Sequence, residues 1–375
     1  MSLKLSALGL AAAALTLAAC QSPQQPVPPN TLVALKVAAA PNMNAGAADP
    51  VWAKAQPVAM TLTDGVNFAG GKGETQGQIK AVYTADTMYM LVQYADPTNS
   101  IRRGPYQKQA DGTWKQLKDP ANKGGDDNVY YEDKWAMLWP IGNSVKGFEN
   151  KGCAVMCHVG EGKPFGNKYT KSEGEISDMW HMKGQRTAPF GIVDDQYADH
   201  TRYDPKASPN AGRKSDPGGP EYKGFGLVDG KPQFMNRDAK AATAGGSFYI
   251  KAGDEVPFDD SKFKAGDEVA SFMILPVKGD RADIKVAYSW ANGLHTSVVA
   301  RKLVTGSKFD VQFDNLSSRY LFGFAAFDNA QVQHASGDDA LTLVFASGVH
   351  VQVNPGFDAA TLARVVRLLQ EGTAA

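Results

Sequence analysis

The chain has 375 residues, 43% of them hydrophobic, enough for one large domain or two small ones with a buried core, which excludes intrinsic disorder as the main state. Lys plus Arg and Asp plus Glu each number 39, so the formal net charge is zero and no nucleic-acid partner is expected. Thirty-eight glycines, 13 tyrosines and 17 phenylalanines suit a loop-rich β protein better than a helical bundle.

Residues 1–19 read as a signal peptide: Lys4, an apolar run from Leu5 to Leu17, then Ala18, Ala19 and Cys20. This resembles a bacterial lipoprotein signal, in which the cysteine receives the lipid and becomes the first mature residue. The competing reading is cleavage at an ordinary small-residue site. The apolar run is short for a membrane span, and no later stretch offers about 20 apolar residues. The chain is therefore expected on the periplasmic side, held to the membrane by lipid on Cys20, with Gln21 favouring the outer membrane. Thiols beyond the cytoplasmic membrane tend to be oxidised or otherwise occupied, so Cys153 and Cys157 need a role.

Residues 20–49, rich in Gln, Pro and Ala, are expected to be a flexible tether. A domain is expected over residues 50–345. Lys80 to Tyr94 alternates apolar and polar residues around Ala85 and Asp86, which predicts a pair of strands. Trp135 to Ile141 is a further strand. From 142 to 251 strand signals become sparse, and a long irregular stretch inside a domain is usually functional. Strands return at 268–277, 284–290, 296–303, 309–313 and 320–327, with hairpin signals at Asn292-Gly293 and Thr305-Gly306. In residues 346–375, Asp358 caps an amphipathic helix with Leu362, Val365, Val366 and Leu369 on one face. The fold class expected is mainly β: an antiparallel β-sandwich with a long irregular insertion and a C-terminal helix.

The informative segment is Cys153-Ala154-Val155-Met156-Cys157-His158. Covalent haem attachment needs two thiols for the two vinyl groups and an imidazole beside the second thiol to reach the iron. The usual spacing has two residues between the cysteines; here there are three, which one bulged residue would accommodate. A local disulfide competes, because cysteines four apart on a helical turn bring their Cα atoms to about 6 Å. Free thiols beside a noncovalent haem are a third reading. Zinc is poorly supported by three clustered ligands.

An iron held by His158 needs a sixth ligand if it is to carry electrons, and His and Met are the common choices. In Asp178-Met179-Trp180-His181-Met182-Lys183, an extended backbone sends Trp180 and Met182 one way and His181 and Lys183 the other. His181 is the leading candidate as metal ligand, followed by Met182, His334 and His295. Trp180 is read as a wall of the haem pocket or of the core. His200 and His350 have no supporting context. Asp126, Asp127, Asp194, Asp195, Asp199 and Asp204 could bind calcium, but loop solvation or ion pairs with Arg186, Arg202 and Arg213 is the better account. No nucleophile elbow, phosphate loop or dinucleotide fingerprint is present, which leaves hydrolase and nucleotide-enzyme readings without support.

The Trp52 segment, the hairpin from Ala81 to Asp96, the strand from Glu132 to Pro140, the run from Asp178 to Lys183, and the stretch from Tyr288 through Gly293 to Arg301, Lys302 and Leu303 resemble the haem-binding domain of ethylbenzene dehydrogenase gamma subunits. The resemblance spans roughly residues 50–345. It implies a β-sandwich related to the family 9 carbohydrate-binding modules, a b-type haem held by methionine and lysine, and electron exchange with a molybdenum enzyme. Cys153, Cys157 and His158 stand near the place expected for the methionine, so His158 would replace it, and Lys285 or Lys302 lies where the family supplies a lysine.

The expected function is single-electron transfer by a lipid-anchored periplasmic haem protein, with haem c favoured over haem b. Its partner would be a redox protein, either a molybdenum oxidoreductase or a membrane respiratory complex. The alternative is a cofactor-free sandwich that binds carbohydrate or another ligand and uses a structural Cys153–Cys157 disulfide.

Overall fold

The computed structural model describes residues 28–157, 167–337 and 339–346. Its main sheet has 13 strands. In chain order these are β1 (Thr31–Lys36), β2 (Val58–Leu62), β3 (Thr75–Tyr83), β4 (Thr87–Ala95), β5 (Lys134–Pro140), β6 (Ser177–Lys183), β7 (Asp194–Ala198), β8 (Arg213–Ser215), β9 (Lys285–Ala291), β10 (Leu294–Lys302), β11 (Tyr320–Phe327), β12 (Ala335–Ser336) and β13 (Leu341–Ala346). The hydrogen-bonded path runs β8-β7-β6-β5-β11-β13-β1-β3-β4-β10-β9, with β2 on β3 and β12 on β11. A bridge between Ile192 and Lys285 ties the two ends together, as does the bond from the Val193 amide to the Ile284 carbonyl. The sheet thus folds over itself into two layers.

The core between the layers is one apolar cluster. Trp135, Met137 and Trp139 of β5, with Trp180 and Met182 of β6, face Met88, Met90 and Tyr94 of β4 and Val299 of β10. The fold is a mainly antiparallel β-sandwich, as the alternating apolar pattern implies. The β9–β10 hairpin turns at Asn292 and Gly293, which have φ values of 52° and 74°, the left-handed pair that a two-residue turn of the right twist needs. Phe309–Phe313 forms no strand; the Phe313 amide instead donates to the Leu303 carbonyl.

Two further expectations change. Residues 31–36, expected within the tether, form β1 at the middle of the sheet, parallel to both β13 and β3. Its sequence TLVALK alternates half-buried and buried positions, which is the strand pattern itself; the Gln/Pro/Ala content around it masked the signal. The stretch 142–251, expected to be irregular, contributes β6, β7 and β8. β6 is buried along its whole length, so a strand covered on both faces shows no clean alternation. The rest of that stretch builds small sheets around a second core of Tyr106, Trp114, Phe225, Met235, Ile250 and Phe263. Cys20, His158, His350 and the expected helix from Asp358 lie outside the described residues.

Candidate functional site on the outer face of the sheet

Alternation along β5, β6 and β11 splits their side chains between two faces. On the face away from the main core, register places Gly323, Leu138 and Met179 in one row and Ala325, Ala136 and His181 in the next. Across three strands and one two-residue step, Gly323 and His181 are separated by about 12 Å, given about 4.8 Å between strands and 3.4 Å per residue.

Cys153 and Cys157 sit on this face. After the short helix Phe148–Lys151, Gly152 takes a φ of 52°, and a 3-10 turn, Gly152–Val155, carries Cys153. The Cys157 amide donates to the Cys153 carbonyl at 3.1 Å, so one helical turn stacks the two cysteines. No disulfide joins them and both are buried, packed with Leu138, Phe148, Met156, Met179 and Ala198. A Cβ at Gly323 would lie 3.1 Å from the Cys153 Cβ, so the absence of a side chain in mid-strand is what admits Cys153 to the sheet surface. Lys168 Nζ donates to Cys157 Sγ at 3.1 Å. The Cys153 thiol is pushed well above its usual range, first by its hydrogen bond with Cys157 and then by burial, and so stays protonated at neutral pH.

His181 is buried one row away. Its Nδ1 lies 3.3 Å from Gln196 Oε1, while Nε2 has no hydrogen-bond partner among the described residues. Gln196 Nε2 points to Ser215 Oγ at 3.5 Å, which fixes the amide so that its oxygen faces the imidazole. Burial first, then the charges of Lys183, Lys134 and Arg186, hold the His181 pKa well below its ordinary value. The ring is therefore neutral, with Nδ1–H donating to Gln196 and a bare Nε2 lone pair, the tautomer in which histidine binds a metal. Phe327 and His334 continue the same side, with ring centroids 6.1 Å apart for His181–Phe327 and 5.0 Å for Phe327–His334. His334 Nδ1 is 2.9 Å from the Val332 carbonyl.

The other sequence candidates lie elsewhere. Trp180 and Met182 point into the main core, separated from the cysteines by the sheet itself. Trp180 packs at a tilt against Trp139, with ring centroids 4.9 Å apart. His295 is also inside the sandwich, between Tyr94 at 4.5 Å and Tyr288 at 4.6 Å. Burial lowers its pKa to about 3, and Asp96 and Asp133 approach it. His200 is exposed, as are Lys285 and Lys302, and Lys285 Nζ is taken by the Ala282 carbonyl.

The aspartates expected to pair with Arg186, Arg202 and Arg213 use other donors. Asp194 pairs with Lys183 and Arg281 and Asp199 with Lys214. Asp127 accepts from the Val129 and Tyr130 amides, and Asp204 from those of Lys206 and Ala207. Arg186 instead pairs with Glu132 and Glu221, and Arg202 donates to the Thr170 and Lys171 carbonyls.

Sequence reasoning missed Gln196, Gly323, Ala325 and Ala136. Gly323 alone carried a signal, since an isolated glycine inside the apolar run 320–327 marks a close approach. Gln196 carried none, because its role depends on the β6–β7 register.

A family model described as Ethylbenzene dehydrogenase matches residues 49–338. No curated protein matches. Among solved structures, a family 9 carbohydrate-binding module from Caldicellulosiruptor kristjanssonii in complex with glucose is 8% identical, covering 87% of this chain and 100% of its own, with a TM-score of 0.30. A putative carbohydrate-binding protein from Bacteroides uniformis is 8% identical, covering 86% and 93%, with a TM-score of 0.31.

Proposed function

From the premise that the chain belongs to the ethylbenzene dehydrogenase family, a redox-related one, we propose that it is a haem-binding protein for single-electron transfer, with its haem on the outer face of β5, β6 and β11. The observation that carries this is His181: neutral, oriented through Gln196 and, among the described residues, without a partner at Nε2, on the same face as two buried cysteines.

These residues fit the group. Cys153 and Cys157 would hold it by thioethers, His158 would supply one iron ligand and His181 the other. Gly323 would seat Cys153 against the sheet, Ala325 and Ala136 would leave room for a flat ring beside it, and Phe327 would bound it. The haem iron supplies the one-electron couple, and the protein tunes its potential through ligands, burial and hydrogen bonds. Gln196 keeps the proton on His181 Nδ1, while burial first and then the Lys183 charge keep the ring from acquiring a second proton. We place the protein on the periplasmic side, anchored by lipid on Cys20, exchanging electrons with a redox partner such as a molybdenum oxidoreductase.

The test is a pyridine haemochrome spectrum and a haem-stained denaturing gel on full chain made with a cytochrome c maturation system. A c-type spectrum with a stained band that vanishes in Cys153→Ser/Cys157→Ser is expected. His181→Ala is expected to keep the stained band and shift the Soret maximum. A b-type spectrum without stain would remove the thioethers and keep the electron-transfer reading. Protein without haem would overturn it in favour of a cofactor-free binding module.

A further inference from the structure

A second constellation lies inside the sandwich, on the opposite side of β6 from the cysteines. Asp178 of β6, Asp195 of β7 and Asp310 each bring a carboxylate oxygen within 4.8 Å of the others. Asp216 and Asp280 form a second such triad that shares Asp310. Asp283 adds a sixth carboxylate beside Asp195. Among the described residues, the ion pairs made by these six are those of Arg301 with Asp178 and Asp310, at 3.5 and 3.1 Å. One guanidinium thus faces four of the six acids, Asp178, Asp195, Asp310 and Asp283.

The oxygens are buried without being satisfied. Among the described residues, Asp178 Oδ1, Asp195 Oδ2, Asp310 Oδ1, Asp283 Oδ1 and both oxygens of Asp216 have no hydrogen-bond partner. Asp178 and Asp195 are 0% exposed and Asp310 is 1% exposed. The donors that do reach the set leave these atoms aside: Trp180 Nε1 and the Val311 amide both go to Asp178 Oδ2, and Thr305 Oγ1 goes to Asp310 Oδ2. A buried carboxylate oxygen with no donor costs several kcal/mol, and here several point at one another.

We propose that Asp178, Asp195 and Asp310 bind a calcium ion inside the sandwich, with Asp216 and Asp280 completing the acidic wall beyond Asp310. Oxygen-only ligands select a hard cation, and calcium takes six to eight of them at 2.3–2.6 Å in adaptable geometry, whereas magnesium keeps several waters. The ion would fasten the loop bearing Asp310 and the turn Gly279–Ala282 to the ends of β6 and β7, elements far apart in sequence.

The experiment uses full chain dialysed against EGTA and then titrated with calcium alone, following the melting midpoint. At a free concentration of about 100 Kd the midpoint should rise by roughly 5 °C. Terbium should show tryptophan-sensitised luminescence, since Trp180 touches the site, and calcium should quench it by displacement. Asp195→Asn and Asp310→Asn should melt in EGTA within about 2 °C of the parent or above it, because neutral amides relieve the repulsion, yet lose both responses. Asp204→Asn, on an exposed loop, should keep them. A midpoint unmoved by calcium with no terbium signal, or responses that survive in Asp195→Asn and Asp310→Asn, would overturn the proposal.

Discussion

The two faces of β6 are put to opposite uses. Inward, Trp180 and Met182 fill volume: Trp180 packs on Trp139 at 4.9 Å and beneath the Arg301 guanidinium at 5.2 Å. Outward, Met179, His181 and Lys183 meet thiols, an amide and an ion network. Lys183 pairs with Asp194 and Glu221, and Arg186 joins Glu221 to Glu132. Both faces are buried, so burial does not separate core from site. What separates them is whether polar atoms are satisfied by packing partners or left aimed at a gap.

The largest expected effect tests the inward face. Trp180→Ala should cost about 3–5 kcal/mol of unfolding free energy, as truncating a buried tryptophan does, read by urea denaturation of the full chain. A loss below about 1 kcal/mol would mean that the inward face does not carry the core.

Next is a pH effect confined to the interior. The unfolded chain protonates His295 near 6.5, whereas the native ring, buried between two tyrosines, holds off to about 3. The unfolded state therefore binds the extra proton as pH falls below 6.5, and native stability drops by up to about 1.4 kcal/mol per pH unit toward 3. His295→Phe should flatten that slope, measured as denaturation free energy at pH 6.5, 5.5 and 4.5, while leaving the outer face unchanged. An unaltered slope would place the titration on other groups.

The smallest effect addresses the outer face. Gly323→Ala puts a methyl 3.1 Å from the Cys153 Cβ and should cost about 1–3 kcal/mol as overpacking. It should also raise the rate at which Cys153 reacts with a thiol reagent, because the 3-10 turn is lifted off the sheet. A slower or unchanged labelling rate would show that Gly323 does not seat the cysteine.

Much of the fold was legible. The β3–β4 pair, β5, β9, β10 and β11 follow from alternation and turn residues, because a half-buried strand writes its geometry into every second residue. β6 and β1 were not. β6 is covered on both sides, and β1 is short and flanked by Pro and Ala. Within the candidate site, Cys153, Cys157 and His181 were legible as residue types with metal chemistry, and the opposite directions of His181 and Trp180 follow from strand geometry alone. That Met182 and His295 face the interior, and His181 the cysteines, required the sheet order.

By itself the sequence determined a mainly β chain without net charge, two cysteines one helical turn apart, and strands whose alternation says which side chains are paired in direction. Only the tertiary structure decided which direction is inward, because that depends on how thirteen strands close over one another. Register then set Gln196 against His181 and Gly323 against Cys153. It also gathered Asp178, Asp195 and Asp310 from three distant segments. Such convergence leaves no local trace, since each aspartate alone reads as an ordinary loop or strand-end residue.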